Sequence, residues 1–194
     1  MPVIGDAAGD LYNNGTPNVP HVVLASGYDL AGDRTNNWAS IGLTKDFANS
    51  YTFDNDQRLT MVQQQQQTGG NGVAPKEIDL AYNGLGLFTG TVDYNYIGVG
   101  PRTDIATGAY SYDTGNRLTG LNYTANGGST QIDGYTWGFD NANRITSMTT
   151  TADGSATFGY DSVNELTSAT YTGQNQPANE VYSFDHNGYR NTSG

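Results

Sequence analysis

Tyr110-Ser111-Tyr112-Asp113-Thr114-Gly115-Asn116-Arg117-Leu118-Thr119 is the stretch whose reading decides the fold. Tyr110 and Tyr112 stand two apart with a serine between them, the period of a β-strand that presents one aromatic face. Asp113 ends that strand. As first residue of a type I turn, its carboxylate accepts a hydrogen bond from the backbone amide two residues on. Asn116, three residues later, tolerates the positive φ needed where a type I turn runs into a bulged hairpin. A second strand then leaves through Arg117-Leu118-Thr119, so the stretch encodes strand, four-residue turn, strand.

The same phrase is written along the whole chain. Tyr28-Asp29-Leu30-Ala31-Gly32-Asp33-Arg34 and Phe53-Asp54-Asn55-Asp56-Gln57-Arg58-Leu59 precede it. Phe139-Asp140-Asn141-Ala142-Asn143-Arg144-Ile145, Tyr160-Asp161-Ser162-Val163-Asn164-Glu165-Leu166 and Phe184-Asp185-His186-Asn187-Gly188-Tyr189-Arg190 follow. Tyr82-Asn83-Gly84-Leu85-Gly86-Leu87-Phe88 is a degenerate copy. The predicted turns therefore fall near 29–34, 54–59, 83–88, 113–118, 140–145, 161–166 and 185–190. The position three after the aspartate reads Gly32, Gly86, Asn116, Asn143, Asn164 or Gly188, with Gln57 the exception. Intervals between Asp29, Asp54, Asn83, Asp113, Asp140, Asp161 and Asp185 are 25, 29, 30, 27, 21 and 24 residues.

Self-similarity on this scale marks a repeat architecture. Constant ends with an elastic middle fit hairpins joined by loops of varying length. An α-solenoid, whose helices keep matched lengths, would not vary in this way. The aromatic before each turn and the Leu or Ile after it are expected to share a face, contributing about 0.2–1 kcal/mol per cross-strand pair. One hairpin is marginal in water, so neighbouring copies must pair. The expected fold is all-β: tandem hairpins forming a long twisted antiparallel sheet, with no domain boundary over 1–194 because the phrase stands on both sides of every candidate linker. No stretch reads as a convincing helix, and Trp38–Ala48 has only weak amphipathic character.

Composition narrows the function. Hydrophobic residues make up 36% and charged residues 14%, while Gly 26 and Tyr 14 are high, as turns and aromatic strands require. A net charge of −11 argues against nucleic acid and anionic membrane as partners, since both select basic patches. No run is long and apolar enough for a transmembrane helix, and Met1-Pro2-Val3-Ile4-Gly5-Asp6 does not read as a signal peptide. With Cys 0 there is no disulfide framework, which leaves an extracellular address open for a β-protein held by sheet hydrogen bonds. Asp6-Ala7-Ala8-Gly9-Asp10-Leu11 reads as the second half of a further copy, and the chain stops just after a turn. Those ends suggest an excerpt, or a unit completed by its neighbour.

Chemistry has few candidates. His21 and His186 are the only histidines; the first opens an apolar strand and the second occupies a variable turn position. No Ser/His/Asp constellation or His-x-x-x-His pair occurs. The pairs Asp29/Asp33 and Asp54/Asp56 could be sought as glycosidase carboxylates, but turn formation already explains them. Asp54-Asn55-Asp56 opens like a calcium loop and lacks the glycine and distal glutamate of an EF-hand. No catalytic, cofactor or metal residue is therefore assigned. The turn residues Asp29, Gly32, Asp54, Asn83, Gly86, Asp113, Asn116, Asp140, Asn143, Asp161, Asn164, Asp185 and Gly188 are read as structural. Gln63–Gln67 followed by Thr68-Gly69-Gly70 reads as a strand entering a long hairpin tip, with a glutamine ladder between copies as the alternative. Tyr94-Asn95-Tyr96 begins a further degenerate strand pair.

These residues resemble the YD-repeat, or Rhs-repeat, family, whose units read approximately Tyr-x-Tyr-Asp-x-x-Gly-Arg-Leu-Thr, with a variant ending Gly-Asn-Arg-Thr. Tyr110–Thr119 is similar to the first form, and Tyr28–Thr35 and Phe184–Thr192 approximate the second. The resemblance implies a sheet that spirals as part of a hollow shell or solenoid, in a secreted or surface protein whose repeats do structural work. The family's Arg-Asp-Pro closing sequence has no match here, so closure and self-processing are not implied. The expected function is a non-enzymatic, extracellular or cell-surface wall, either a shell segment or a self-assembling filament subunit. Its expected partners are other copies or flanking repeats. The alternative is a carbohydrate-binding or adhesive module in which Tyr135 and Trp137 stack on a polysaccharide.

Overall fold

The structure, a computed structural model, describes residues 22–95, 102–174 and 176–193. His21, the half-copy at Asp6–Leu11 and most of the degenerate pair that begins at Tyr94 lie outside them. The described residues form fourteen strands and no helix. They are β1 (Val22–Tyr28), β2 (Arg34–Ile41), β3 (Thr44–Phe53), β4 (Leu59–Gln66), β5 (Lys76–Tyr82), β6 (Phe88–Asn95) and β7 (Thr103–Tyr112). Then follow β8 (Leu118–Ala125), β9 (Thr130–Phe139), β10 (Ile145–Thr150), β11 (Gly154–Tyr160), β12 (Leu166–Thr172), β13 (Glu180–Phe184) and β14 (Arg190–Ser193). Their order in the sheet is their order in the chain, and the described pairs are antiparallel. This is the all-β hairpin array that the repeated phrase predicts. Trp38–Ala48 is strand, a turn at Gly42-Leu43, and strand.

Every copy of the phrase joins an odd strand to the following even one. The connections at the other strand ends differ in length: Gly42-Leu43, then 67–75, 126–129, 151–153 and 173–179. That difference is the elastic part of the repeat interval. The Gln63–Gln66 run lies in β4 and leads into the 67–75 tip, where the glutamines bond to their own sheet. Gln63 Nε2 donates to Glu77 Oε2 at 3.0 Å, and Gln67 Nε2 donates to the carbonyls of Ala39 (2.6 Å) and Phe47 (2.9 Å).

Two compact units are distinguished. The first takes the described residues up to Tyr82 and those of Thr91–Ile105. In it, Phe53 stands opposite Leu59, Tyr51 opposite Val62, and Val62 opposite Ile78, so these side chains share one face. The alternate residues Ser50, Met61, Gln63 and Glu77 share the other face. The second unit takes Asn83–Gly90 and the described residues from Ala106 onward. Its apolar face pairs Tyr112 with Leu118, Tyr110 with Leu121, Phe139 with Ile145, and Tyr160 with Leu166. Its opposite face is small and polar. Ser111, Gly120, Thr136, Thr149, Ser155 and Thr172 form one cross-strand row, with Gly138, Ser147, Thr157 and Thr170 in the next.

Burial follows from this construction. Among the described residues no large side chain is fully buried, and the buried apolar positions are Ala39, Ala156 and Ala169. Stability therefore rests on ladder hydrogen bonds and cross-strand pairs, not on a central core. Gly90 and Gly108 show why glycine interrupts the strands: a Cβ on Gly90 would lie 2.5 Å from the Gly108 carbonyl oxygen.

Candidate functional site

The residues that recur in every copy converge on the turns, and the turns share one chemistry. In the 113–117 turn, Asp113 N donates to Arg117 O at 3.0 Å and Asn116 N donates to Asp113 O at 3.0 Å. Asp113 Oδ1 accepts from Gly115 N (2.8 Å) and Arg117 N (3.0 Å). Equivalent pairs of amide hydrogen bonds reach Asp29, Asp54, Asn83, Asp140, Asp161 and Asp185. One side-chain oxygen thus satisfies two backbone donors that the turn leaves without a carbonyl. Asn83 performs this role without a charge.

The third position after each aspartate sits in the left-handed region. Its φ is 93° at Gly32, 60° at Gln57, 81° at Gly86 and 62° at Asn116. It is 64° at Asn143, 73° at Asn164 and 77° at Gly188. Gln57 takes the same backbone as the glycines and asparagines although a longer side chain is strained there by roughly 1–2 kcal/mol. Beyond the turn the ladder slips by one residue. Thr52 pairs with Met61 and Phe53 with Leu59, which leaves Thr60 as the extra residue of a β-bulge. Thr35, Thr119, Thr146, Thr167 and Asn191 occupy the same place in their hairpins. Such bulges sharpen the local right-handed twist. Sequence reading missed this role, although the recurring Arg-Leu-Thr triplet was its signal.

The arginine has two tasks. Within its own turn it pairs with the aspartate's second oxygen: Arg58 Nε, Arg117 Nε and Arg144 Nε donate to Asp54, Asp113 and Asp140 Oδ2 at 2.8, 2.7 and 2.7 Å. These arginines and the turn amides hold the Asp54, Asp113 and Asp140 carboxyls below the usual carboxylate range. Toward the next hairpin, each guanidinium covers an aromatic ring. Arg34 lies 4.9 Å from the Tyr51 centroid, Arg58 4.9 Å from Tyr82, Arg117 4.8 Å from Phe139 and Arg144 4.7 Å from Tyr160. Arg117 Nη1 also donates to Asp140 O (2.9 Å) and Asn143 Oδ1 (2.8 Å), and Arg144 Nη1 does the same to Asp161 O and Asn164 Oδ1.

Tyrosine answers from the other side of the joint. Tyr82, Tyr112 and Tyr160 Oη donate to the carbonyls of Leu59 (3.0 Å), Phe88 (2.7 Å) and Ile145 (2.7 Å), each the first strand residue after the previous turn. The tyrosine and the arginine of the phrase are therefore fasteners between hairpins.

Several other polar groups are also bonded to the sheet, whereas Asn37 Oδ1 and Asn49 Oδ1, on residues opposite each other in β2 and β3, are buried without a hydrogen-bond partner. Glu77 is buried with Gln63 and Arg102 as partners, and Arg102 also reaches Asp79 at 3.1 Å and covers Tyr94 at 4.4 Å. Tyr110 and Tyr123 hydroxyls lie 3.1 Å apart, and this hydrogen bond, with burial, pushes the Tyr110 phenol up to about 12. Tyr135 and Trp137 stack on each other at 6.0 Å and 8° on the apolar face. His186 stands exposed in its turn. Among the described residues no group of three metal-ligating side chains gathers, at Asp54-Asn55-Asp56 or elsewhere. A groove crosses the small-residue face, and Ser111, Asn122, Gln131, Thr136, Thr149 and Thr151 are among the residues that line it.

No family model matches the sequence, and no curated protein is significantly similar to it. Among solved structures, the chain is similar to a chain of the Photorhabdus luminescens Tc holotoxin pore carrying the TccC3-D651A mutation. The identity is 16%, the TM-score 0.40, and the match covers 90% of this chain and 11% of that one. It is also similar to a chain of the TcdB2-TccC3-TEV structure at 12% identity and a TM-score of 0.25, covering 87% of this chain and 12% of that one. The chain thus spans about a ninth of the length of these structures, and at such scores the likeness carries no functional argument.

Proposed function

We propose that this chain is a non-enzymatic structural protein, one repeat domain over 1–194 whose hairpins form part of an extracellular or cell-surface wall. One observation supports the reading above others: the residues that recur in the phrase are spent on joining one hairpin to the next. Five successive joints, from the 29–34 turn to the 161–166 turn, contain an arginine over a ring, a tyrosine hydroxyl on a carbonyl, or both. A catalytic site needs one copy of its residues, whereas a wall needs the same fastener at every joint. The phrase's resemblance to YD repeats supports the extracellular address and the alternatives of shell segment and filament subunit.

Electron microscopy of the native material, with its mass in solution, tests this. Regular fibres identify a filament subunit joined to other copies, and a hollow particle of a longer polypeptide identifies a shell segment. A dispersed particle of 20.7 kDa that joins nothing contradicts the proposal. A second reading, a carbohydrate-binding module, draws on the groove lined by Asn122, Gln131, Thr136 and Thr149, a concave and mainly apolar surface with a few polar groups at which a sugar could stack. Co-sedimentation with insoluble polysaccharide, lost in Thr136→Trp, would support it.

A further inference from the structure

One joint lacks both fasteners. Between the β11–β12 hairpin and the β13–β14 hairpin, the arginine position is Glu165 and the tyrosine position is Phe184. A carboxylate cannot cover a ring as a cation does, and phenylalanine has no hydroxyl to donate. The ladder across this joint is correspondingly short, with Ser168 opposite Val181 and Ala169 opposite Glu180. Across the joints β4–β5, β8–β9 and β10–β11, by comparison, it runs over four, six and four pairs.

The charges at the joint oppose one another. Glu165 is half-buried and faces the Asp161 carboxyl of its own turn and Asp185 of the following hairpin. Its Oε1 lies 3.2 Å from where a Cβ on Gly188 would be, so it stands against the next turn. Of the cations on the flanking strands, Arg144 is engaged with Asp140 and sends Nη1 to Asp161 O and Asn164 Oδ1, and Arg190 of β14 covers the Tyr182 ring at 4.3 Å. In the arginine repeats, Nε donates to the aspartate's second oxygen. Glu165 can make the corresponding donation to Asp161 only when it carries a proton.

We infer that docking of the β13–β14 hairpin onto β12 is controlled by protonation of Glu165. When protonated, Glu165 replaces the arginine as donor to Asp161 and removes the repulsion with Asp185. When ionised, it loosens the terminal hairpin. Burial, followed by the hydrogen bond with Asp161 and the charges of Asp161 and Asp185, raises the Glu165 carboxyl above its ordinary range, in keeping with this geometry. The sign follows: a carboxyl raised in the docked state favours docking below its undocked value, about 4.3, and the gain is lost as pH rises through the higher docked value. The arginine-paired aspartates shift the other way, so acid does not strengthen their joints.

The test is hydrogen exchange of the full chain, corrected for intrinsic rates, with β8 (Leu118–Ala125) as internal reference. Between about pH 4 and about pH 7, protection of Glu180–Phe184 relative to β8 is expected to fall severalfold. Glu165→Gln should abolish the fall, and Glu165→Arg should keep protection high at both pH values by restoring the cation over Phe184. No fall in the parent chain, or an equal fall in Glu165→Gln, would overturn the inference. Intact β8 protection in each variant shows that the sheet itself has folded.

Discussion

At the residue scale, each turn divides its work between a side-chain acceptor and a backbone that accepts positive φ. The two tasks are separable by mutation. Asp113→Asn retains an oxygen for Gly115 N and Arg117 N, as Asn83 does for Leu85 N and Leu87 N, but loses the ion pair with Arg117. Asp113→Ala loses both. Thermal unfolding should rank the parent above Asp113→Asn and that above Asp113→Ala, with steps of roughly a few degrees. The Asp113 carboxyl is lowered by its Arg117 hydrogen bonds, so its stabilisation is present above the unfolded value of about 3.9 and is lost as pH falls through the lower folded value. Urea midpoints followed across that range should fall less steeply in Asp113→Asn than in the parent. At φ 62°, Asn116→Gly should be tolerated, whereas Asn116→Val should cost about 1–2 kcal/mol in the same measurement.

At the element scale, the hairpin was readable from its ends. Tyr-x-Tyr-Asp gave the first strand and its stop, the glycine or asparagine gave the bulged turn, and the aromatic and leucine appear directly opposite each other, as at Phe53 and Leu59. The slip at Thr60, Thr119, Thr146 and Thr167 was less legible, because a bulge depends on which residue the partner strand skips and not on the propensity of threonine alone. The joints between hairpins were the least legible. Arg117 and Phe139 are 22 positions apart in sequence, and no local pattern announces that one covers the other. Glycines at close approaches belong to the same class of long-range fact. Gly90→Ala places a methyl 2.5 Å from the Gly108 carbonyl oxygen, and the backbone cannot yield as a side chain would. It should destabilise by more than about 1 kcal/mol in urea unfolding, whereas Gly84→Ala, with open space around it, should change little.

At the scale of the whole molecule, the sequence announces a material built by repetition, and the array of fourteen strands in chain order agrees with that reading. A net charge of −11 keeps such a chain soluble and opposes contact between copies, so any association of copies should strengthen as salt screens that charge. The central claim is that the phrase is a fastener, and the Arg144–Tyr160 joint contains all of its parts. The most direct measurement is a double-mutant cycle there, with Arg144→Met, Tyr160→Leu and the pair unfolded in urea. The account predicts a coupling energy of about 0.5–1 kcal/mol, as for a cation over a ring at a part-exposed site. Strictly additive effects, or single variants as stable as the parent, would contradict it.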